Sequence, residues 1–285
     1  ASLIISITKA MACASRVSAV LSLAPGMEGA DSLPSAPDTQ EAVRFENVSL
    51  TYESAGAPSL LNVSFTAKRG ETIGVIGGTG SGKSTLVNLI PRFYDATSGR
   101  VLVGGVDVRD YPLEALRRKI GVVPQRAVLF KGSIRDNLRW GAQDATQEEM
   151  FAALATAQAS EIVKGREGGL DAMIAQGGKN LSGGQRQRLT IARALVKRPD
   201  ILILDDSASA LDYATDLALR QALRQLPESP TVFIVSQRAS SIRHADRIIV
   251  LDEGAVCGMG THEELLNTCA VYQEIYYSQY EKEAM

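Results

Sequence analysis

Gly77-Gly78-Thr79-Gly80-Ser81-Gly82-Lys83-Ser84-Thr85 fits the pattern G-x-x-x-x-G-K-[ST], with Gly77, Gly82, Lys83 and Ser84 at its fixed positions. Thr72-Ile73-Gly74-Val75-Ile76 precedes it and reads as a buried strand, and Leu86-Val87-Asn88-Leu89-Ile90 follows it and reads as a helix. That strand–loop–helix context is what the motif requires. Glycines let the backbone wrap around phosphate oxygens without Cβ clashes. Successive N–H groups and the helix N-terminus then present partial positive charge. Lys83 is placed to reach the β- and γ-phosphates of a nucleotide, and the Ser84 hydroxyl to ligate Mg²⁺. A flexible Gly-rich turn is the plainer alternative, and it gives Lys83 and Ser84 no purpose.

The 285 residues suffice for one large domain or two small ones. Hydrophobic content of 45% and charged content of 22% are ordinary for a globular domain. A formal net charge of −2 offers no broad basic surface, so no nucleic-acid partner is expected. Cys13, Cys257 and Cys269 are scattered without a C-x-x-C, which argues for a reducing compartment and against a disulfide framework or a cysteine metal site. His244 and His262 lack ligand-like spacing and read as surface or helix-cap neighbours.

The N-terminal stretch Ala1-Ser2-Leu3-Ile4-Ile5-Ser6-Ile7 is strongly apolar, and Lys9, Arg16, Val17, Val20 and Leu21 follow at helical spacing. A signal peptide carries its positive charge before the apolar run, whereas this stretch carries it after. Two readings stand on the residues alone. One is the cytoplasmic end of a transmembrane helix, where Lys and Arg favour the inner side. The other is an amphipathic helix packed on the domain. Residues 24–41 hold three prolines and few large apolar side chains, a linker composition, and the folded domain is expected from about Ala42.

Val43–Leu50 and Leu61–Phe65 alternate apolar and polar residues, as half-buried strands do. Ile73–Ile76, Gly121–Val123, Ile201–Leu204, Val232–Val235 and Ile248–Leu251 are continuous apolar runs that suit strands buried on both faces. Helical stretches between several of them give an α/β core with a mainly parallel sheet. Residues 133–196 show no strand-like run and read as an inserted helical subdomain, with Glu148–Leu154 its clearest helix.

Ile201–Leu204 runs into Asp205-Asp206, a carboxylate at the end of a buried strand, which is the Walker B arrangement. Asp205 is placed to hold Mg²⁺ and Asp206 to orient the attacking water. In Leu181-Ser182-Gly183-Gly184-Gln185, Ser182 and Gln185 form an S-x-x-Q capping box that starts a helix. Two glycines at that start cost up to about 1 kcal/mol each and admit an anion close to the backbone.

The order GGTGSGKST, VPQ, LSGGQ, ILILDD, SALD resembles the nucleotide-binding domain of ABC transporters over residues 42–285. The resemblance implies a P-loop NTPase (RecA-like) core with an antiparallel β subdomain and an inserted helical subdomain. It implies ATP and Mg²⁺ as ligands and a second such domain as head-to-tail partner. Ser182, Gly183, Gly184 and Gln185 would then contact the partner's ATP, while the ATP of this chain meets residues 77–85. Tyr52 stands where the family has an aromatic that stacks on adenine, Gln125 where it has the glutamine linking Mg²⁺ to the membrane domains, and Ser209–Asp212 matches the D-loop. Ile134–Leu138 and Gly260–Leu265 look most like exporter-type members. Exporters run their last transmembrane helix into this domain, so residues 1–23 are expected to be its cytoplasmic end, with the domain on the cytoplasmic face of a membrane.

Two positions depart from the family pattern. Asp206 stands where a catalytic Glu is usual, and Gln237 where a switch His is usual. Aspartate is shorter by one methylene, about 1.5 Å of reach, and a displacement near 1 Å can cost about 10²-fold in rate. Glutamine donates a hydrogen bond but carries no imidazolium charge. The pattern resembles the degenerate-site half of a heterodimeric multidrug-type exporter, while a homodimer with two slow sites is the alternative. A soluble ABC-type ATPase of translation or DNA repair would carry two such domains or a long coiled-coil insertion, and neither is present in the sequence. A regulatory ATP-binding module without turnover is the third reading.

Overall fold

The apolar runs that lack alternation form the centre of the molecule. The computed structural model describes residues 2–22, 26–33, 35, 37–53, 55–207, 211–227 and 229–283. In chain order the elements are α1 (Ser2–Leu21), β1 (Glu41–Leu50), β2 (Leu60–Lys68), β3 (Thr72–Gly77), α2 (Lys83–Leu89), β4 (Ser98–Val103), β5 (Val106–Asp107), α3 (Leu113–Arg118) and β6 (Ile120–Val123). Then come β7 (Gly132–Ser133), α4 (Ile134–Arg139), α5 (Gln147–Thr156), α6 (Ser160–Lys164), β8 (Met173–Ile174), α7 (Gly183–Leu195) and β9 (Ile201–Asp205). The chain closes with α8 (Tyr213–Arg224), β10 (Thr231–Val235), β11 (Arg247–Asp252), β12 (Ala255–Gly260), α9 (His262–Thr268) and α10 (Ala270–Glu283).

The main sheet has the order β12-β11-β3-β10-β9-β6, parallel throughout except for the β11–β12 pair. Its strands are apolar on both sides because both faces are covered. Ile73, Val75, Ile201, Ile203, Phe233, Val235, Ile249 and Leu251 join a cluster with α2 and a second, antiparallel sheet of order β2-β1-β4-β5. Within it Phe45 stacks on Phe65 at 4.6 Å, and Phe65 meets Phe233 edge-on. Leu202, Leu204, Val232, Ile234, Ile248 and Val250 face the other way, into a cluster shared with α4, α5, α7 and α10. The chain therefore folds as a P-loop NTPase core with an antiparallel β subdomain and an inserted helical subdomain.

The insertion has helix starts written in its sequence. Ser133/Asp136, Thr146/Glu149 and Ser182/Gln185 each form a complete capping box at the head of α4, α5 and α7, and such caps are worth about 1 kcal/mol each. One expectation is corrected here: the insertion does contain strand. β7 pairs antiparallel with β8 over two residues each, too short to leave an apolar period. β4, β5 and β12 likewise pass unannounced, the last carrying two glycines along the sheet edge.

Among its described residues the segment expected as a linker forms no helix or strand before β1 begins at Glu41, yet it is strapped to the domain. The buried Arg92 guanidinium donates to the Glu28 carbonyl at 3.0 Å, and Ala30 N–H donates to the Tyr111 carbonyl at 3.1 Å. Gly29 fits because a Cβ there would lie 2.7 Å from Leu113 N. Residues 23–25, 34 and 36 of the expected helix end and linker lie outside the described residues. The helix α1 is exposed along its length, and its 20 residues, of mean hydropathy 1.4, are long and apolar enough to cross a membrane.

Candidate nucleotide site

The parallel strands β3, β9 and β10 end side by side, so the loops that follow them meet. After β3 the loop of residues 78–82 turns into α2 through Gly80 (φ +81°) and Gly82 (φ +93°), left-handed positions that favour glycine. Gly77 is a steric requirement of another kind, since a Cβ there would lie 2.1 Å from the Leu251 carbonyl oxygen and 2.5 Å from Ser81 Oγ. Gly78 and Gly80 face open space at their Cβ positions. The loop thus packs its root tightly against β11 and presents its crest outward.

Lys83 is buried beneath that crest, and its ammonium donates to the Gly77 and Gly78 carbonyls at 3.0 and 2.5 Å. Burial pushes its pKa below the usual lysine value, with the charges of Asp205 and Asp206 pulling the other way. Ser84 Oγ donates to Asp205 Oδ1 at 3.1 Å. Burial raises the Asp205 pKa, the Ser84 hydrogen bond opposes this, and the neighbouring Asp206 charge adds to it. A partly desolvated carboxylate beside a hydroxyl is a pair of hard oxygen donors that suits a small divalent cation. Among the described residues no cluster of three or more His, Cys, Asp or Glu side chains forms a metal cage. Two protein oxygens fit a cation such as Mg²⁺, which keeps waters and phosphate oxygens as its remaining ligands.

Asp206 sits in the left-handed region at φ +45°, its N–H donating to the Val235 carbonyl at 2.9 Å. Gln125, just past β6, donates from Nε2 to Asp206 Oδ2 at 3.2 Å. Two positions 81 residues apart in sequence are thereby brought into contact. Gln237, just past β10, is exposed. Tyr52 Oη donates to Thr85 Oγ1 at 3.1 Å, and the Tyr52 ring meets Tyr94 edge-on at 5.0 Å.

The fold therefore gathers Lys83, Ser84, Thr85, Tyr52, Gln125, Asp205 and Asp206 around one loop. It does not bring Ser182–Gln185 there. These residues bond within their own helix start, Gln185 N–H to Ser182 Oγ at 3.2 Å and Ser182 N–H to Gln185 Oε1 at 3.1 Å, with Ser182 and Gly183 exposed. Of the expected D-loop, Ser209 and Ala210 lie outside the described residues, while Asp212 caps α8 by accepting from Thr215 N–H. Sequence reading misses two contributors, Leu251, whose carbonyl limits position 77, and Gln279, discussed below. Neither lies near a motif. His262 lies in the first turn of α9, beside its cap Thr261, and bonds Tyr272 Oη on α10 through Nδ1 at 2.7 Å.

The family described as ABC transporter matches residues 60–209. An uncharacterized ABC transporter ATP-binding protein of Mycobacterium tuberculosis is 46% identical over 275 residues, which make up 95% of this chain and 47% of that protein. An ATP-dependent lipid A-core flippase of Syntrophus aciditrophicus is 38% identical over 277 residues, 97% of this chain and 46% of that one. Among solved structures, a bacterial Atm1-family ABC exporter with ATP bound superposes with a TM-score of 0.88 at 32% identity, covering 96% of this chain and 48% of that one. The chain spans about half the length of the relatives it matches.

Proposed function

The chain belongs to the ABC transporter family, and from that premise we propose that it is the Mg-ATP-dependent motor of an exporter, slow at its own site and completing the site of a second such domain. The convergence of Ser84 on Asp205 and of Gln125 on Asp206, beneath a loop that buries Lys83, carries this proposal. Loop N–H groups and the Lys83 ammonium grip the phosphates, the ammonium exchanging its carbonyl partners for phosphate oxygens. Ser84 and Asp205 hold Mg²⁺, which neutralises phosphate charge when bound. Tyr52 offers its ring face to the base.

Asp206 is the residue placed to take the proton of the attacking water. Its side chain is one methylene short of the reach a glutamate would have, and Gln125 already occupies its Oδ2. Gln237 supplies a neutral hydrogen-bond donor where an imidazole would supply charge. Both features slow this site. Ser182 and Gly183, exposed at the head of α7, and the half-buried Gly184 and Gln185 form a helix start closed by the Ser182–Gln185 bonds and are the residues this chain would offer to a partner domain's nucleotide. The partner is a second nucleotide-binding domain of a different chain, and α1 connects this domain to the transporter's membrane portion on the cytoplasmic side.

The deciding measurement is single-turnover hydrolysis by the full-length transporter with the partner's own site disabled. Asp206→Glu combined with Gln237→His is expected to raise the rate by roughly 10- to 100-fold, since base reach and switch charge return together. A double variant no faster than the parent sinks the slow-site proposal. Failure of the parent to bind ATP sinks the motor proposal itself.

A further inference from the structure

The strand β10 ends at Val235, and the chain then turns through 236–238 into a single 3-10 turn at Ala239–Ser241. Several backbone groups of this turn are paired within it or with β3. Ser236 N–H donates to the Val75 carbonyl at 3.0 Å, and Arg238 N–H to Ser236 Oγ at 3.0 Å. Ser241 N–H donates to the Arg238 carbonyl, and the Ile242 and Arg243 N–H groups to the Ala239 carbonyl. The Gln237 carbonyl and the Ala239 N–H are taken by one side chain from far along the sequence. Gln279 on α10 donates from Nε2 to the Gln237 carbonyl at 2.7 Å and accepts from Ala239 N–H through Oε1 at 2.9 Å.

A primary amide holds donor and acceptor in one plane. Gripping the carbonyl of Gln237 and the N–H of Ala239 fixes the 237–238 and 238–239 peptide planes, the two that flank Arg238, and the first of these also borders Gln237 on its C-terminal side. The direction in which position 237 projects its side chain depends on that first plane. α10 is in turn fixed to the domain. Tyr272 is fully buried and bonded to His262, and Ile275 and Tyr276 pack against the core.

We infer that Gln279 is a positioning residue of the nucleotide site: through its two-bond hold on the loop after β10, the docking of the C-terminal helix sets the aim of position 237 and with it the rate of hydrolysis. The inference rests on the nucleotide-site proposal above. It assigns to α10 a part in turnover rather than in ATP binding, because Gln279 touches neither the loop of residues 77–85 nor Asp205 by any hydrogen bond.

Gln279→Met in the full-length transporter tests this, because it keeps the side-chain volume and loses both hydrogen bonds. Gln279→Glu keeps the acceptor and loses the donor. Three quantities are read: ATP affinity at this site, single-turnover hydrolysis there, and hydrogen exchange of the Ala239 amide. With Gln279→Met, exchange at Ala239 is expected to accelerate about tenfold or more. Hydrolysis is expected to fall about tenfold or more while affinity stays within about twofold. Gln279→Glu is expected to fall between parent and Gln279→Met in Ala239 exchange. Unchanged exchange in Gln279→Met overturns the hold, and faster exchange with unchanged hydrolysis overturns its link to turnover. If the parent binds no ATP, the nucleotide-site proposal has failed instead, and the exchange result still decides whether the hold exists.

Discussion

Lys83 illustrates how one residue serves folding and ligand binding with opposite signs. Its pKa in the folded chain is depressed below 10.5, mainly by burial. Between the folded and unfolded pKa values the unfolded chain binds more protons, so stability rises with pH in that window. Below it, the buried ammonium is a standing cost of the folded state. Lys83→Met removes that cost, so the melting temperature of the ligand-free domain at pH 7 is expected to hold or rise. The same substitution removes the phosphate grip. ATP at about 100 times its dissociation constant adds about 2.7 kcal/mol to the parent, about 5–10 °C for a domain of this size, and is expected to add nothing to the variant. A thermal-shift titration reads both. A variant that loses ligand-free stability and keeps its response to ATP contradicts this account. At this scale the sequence is most legible where chemistry imposes local spacing. Lys83 and Ser84 follow their glycines at a fixed distance, and Asp205 ends an apolar run. Gln279 is illegible because its partners lie 40 and 42 positions away and are backbone groups, which leave no residue type to recognise.

The helix α7 carries the clearest prediction at the scale of elements. A Cβ at Gly183 would meet only Arg186 Nη2, at 4.0 Å, so a side chain fits there within this chain. An aspartate at the first helical position also favours the helix, since its charge opposes the N-terminal dipole. Gly183→Asp is therefore expected to leave folding and ATP binding at Lys83 intact. It is also expected to reduce hydrolysis by the assembled transporter at least tenfold, because in the shared-site proposal the new carboxylate would face the partner's γ-phosphate. Full turnover in the assembled variant refutes the shared-site proposal, and loss of ATP binding at Lys83 would show that α7 serves its own site. The elements themselves are legible in proportion to what buries them. β3, β9, β10 and β11 are covered on both faces and read as unbroken apolar runs. β12 lies at the sheet edge and is half exposed, so its sequence keeps no period. β7 and β8 owe their pairing to the helices around them rather than to their own two residues.

At the scale of the whole molecule, the transporter proposal has to place α1, which is exposed and long and apolar enough to cross a membrane. Its charges, Lys9 and Arg16, follow its most apolar part, which is the order expected of a helix leaving a membrane on the cytoplasmic side. In a full-length transporter whose native cysteines are replaced, Ile5→Cys is expected to resist a water-soluble maleimide until detergent is added. Ser18→Cys is expected to react in vesicles with the cytoplasmic face outward. Equal reactivity at the two positions rejects the membrane placement of α1.

The strap at Glu28 and Ala30 has a consequence for how often two such domains meet. From Ser22, just past α1, to Glu28, held by Arg92, is six residue steps, a reach of at most about 20 Å. A longer unstrapped linker would let the domain wander through a larger volume. In the proposed transporter, with α1 anchored in the membrane, so short a span would confine the domain to a volume in which its counterpart stands at about millimolar effective concentration, whatever the number of transporters in the membrane. The interface between the two domains can then be feeble on its own and still close. ATP need only tip an encounter that the tether has already arranged.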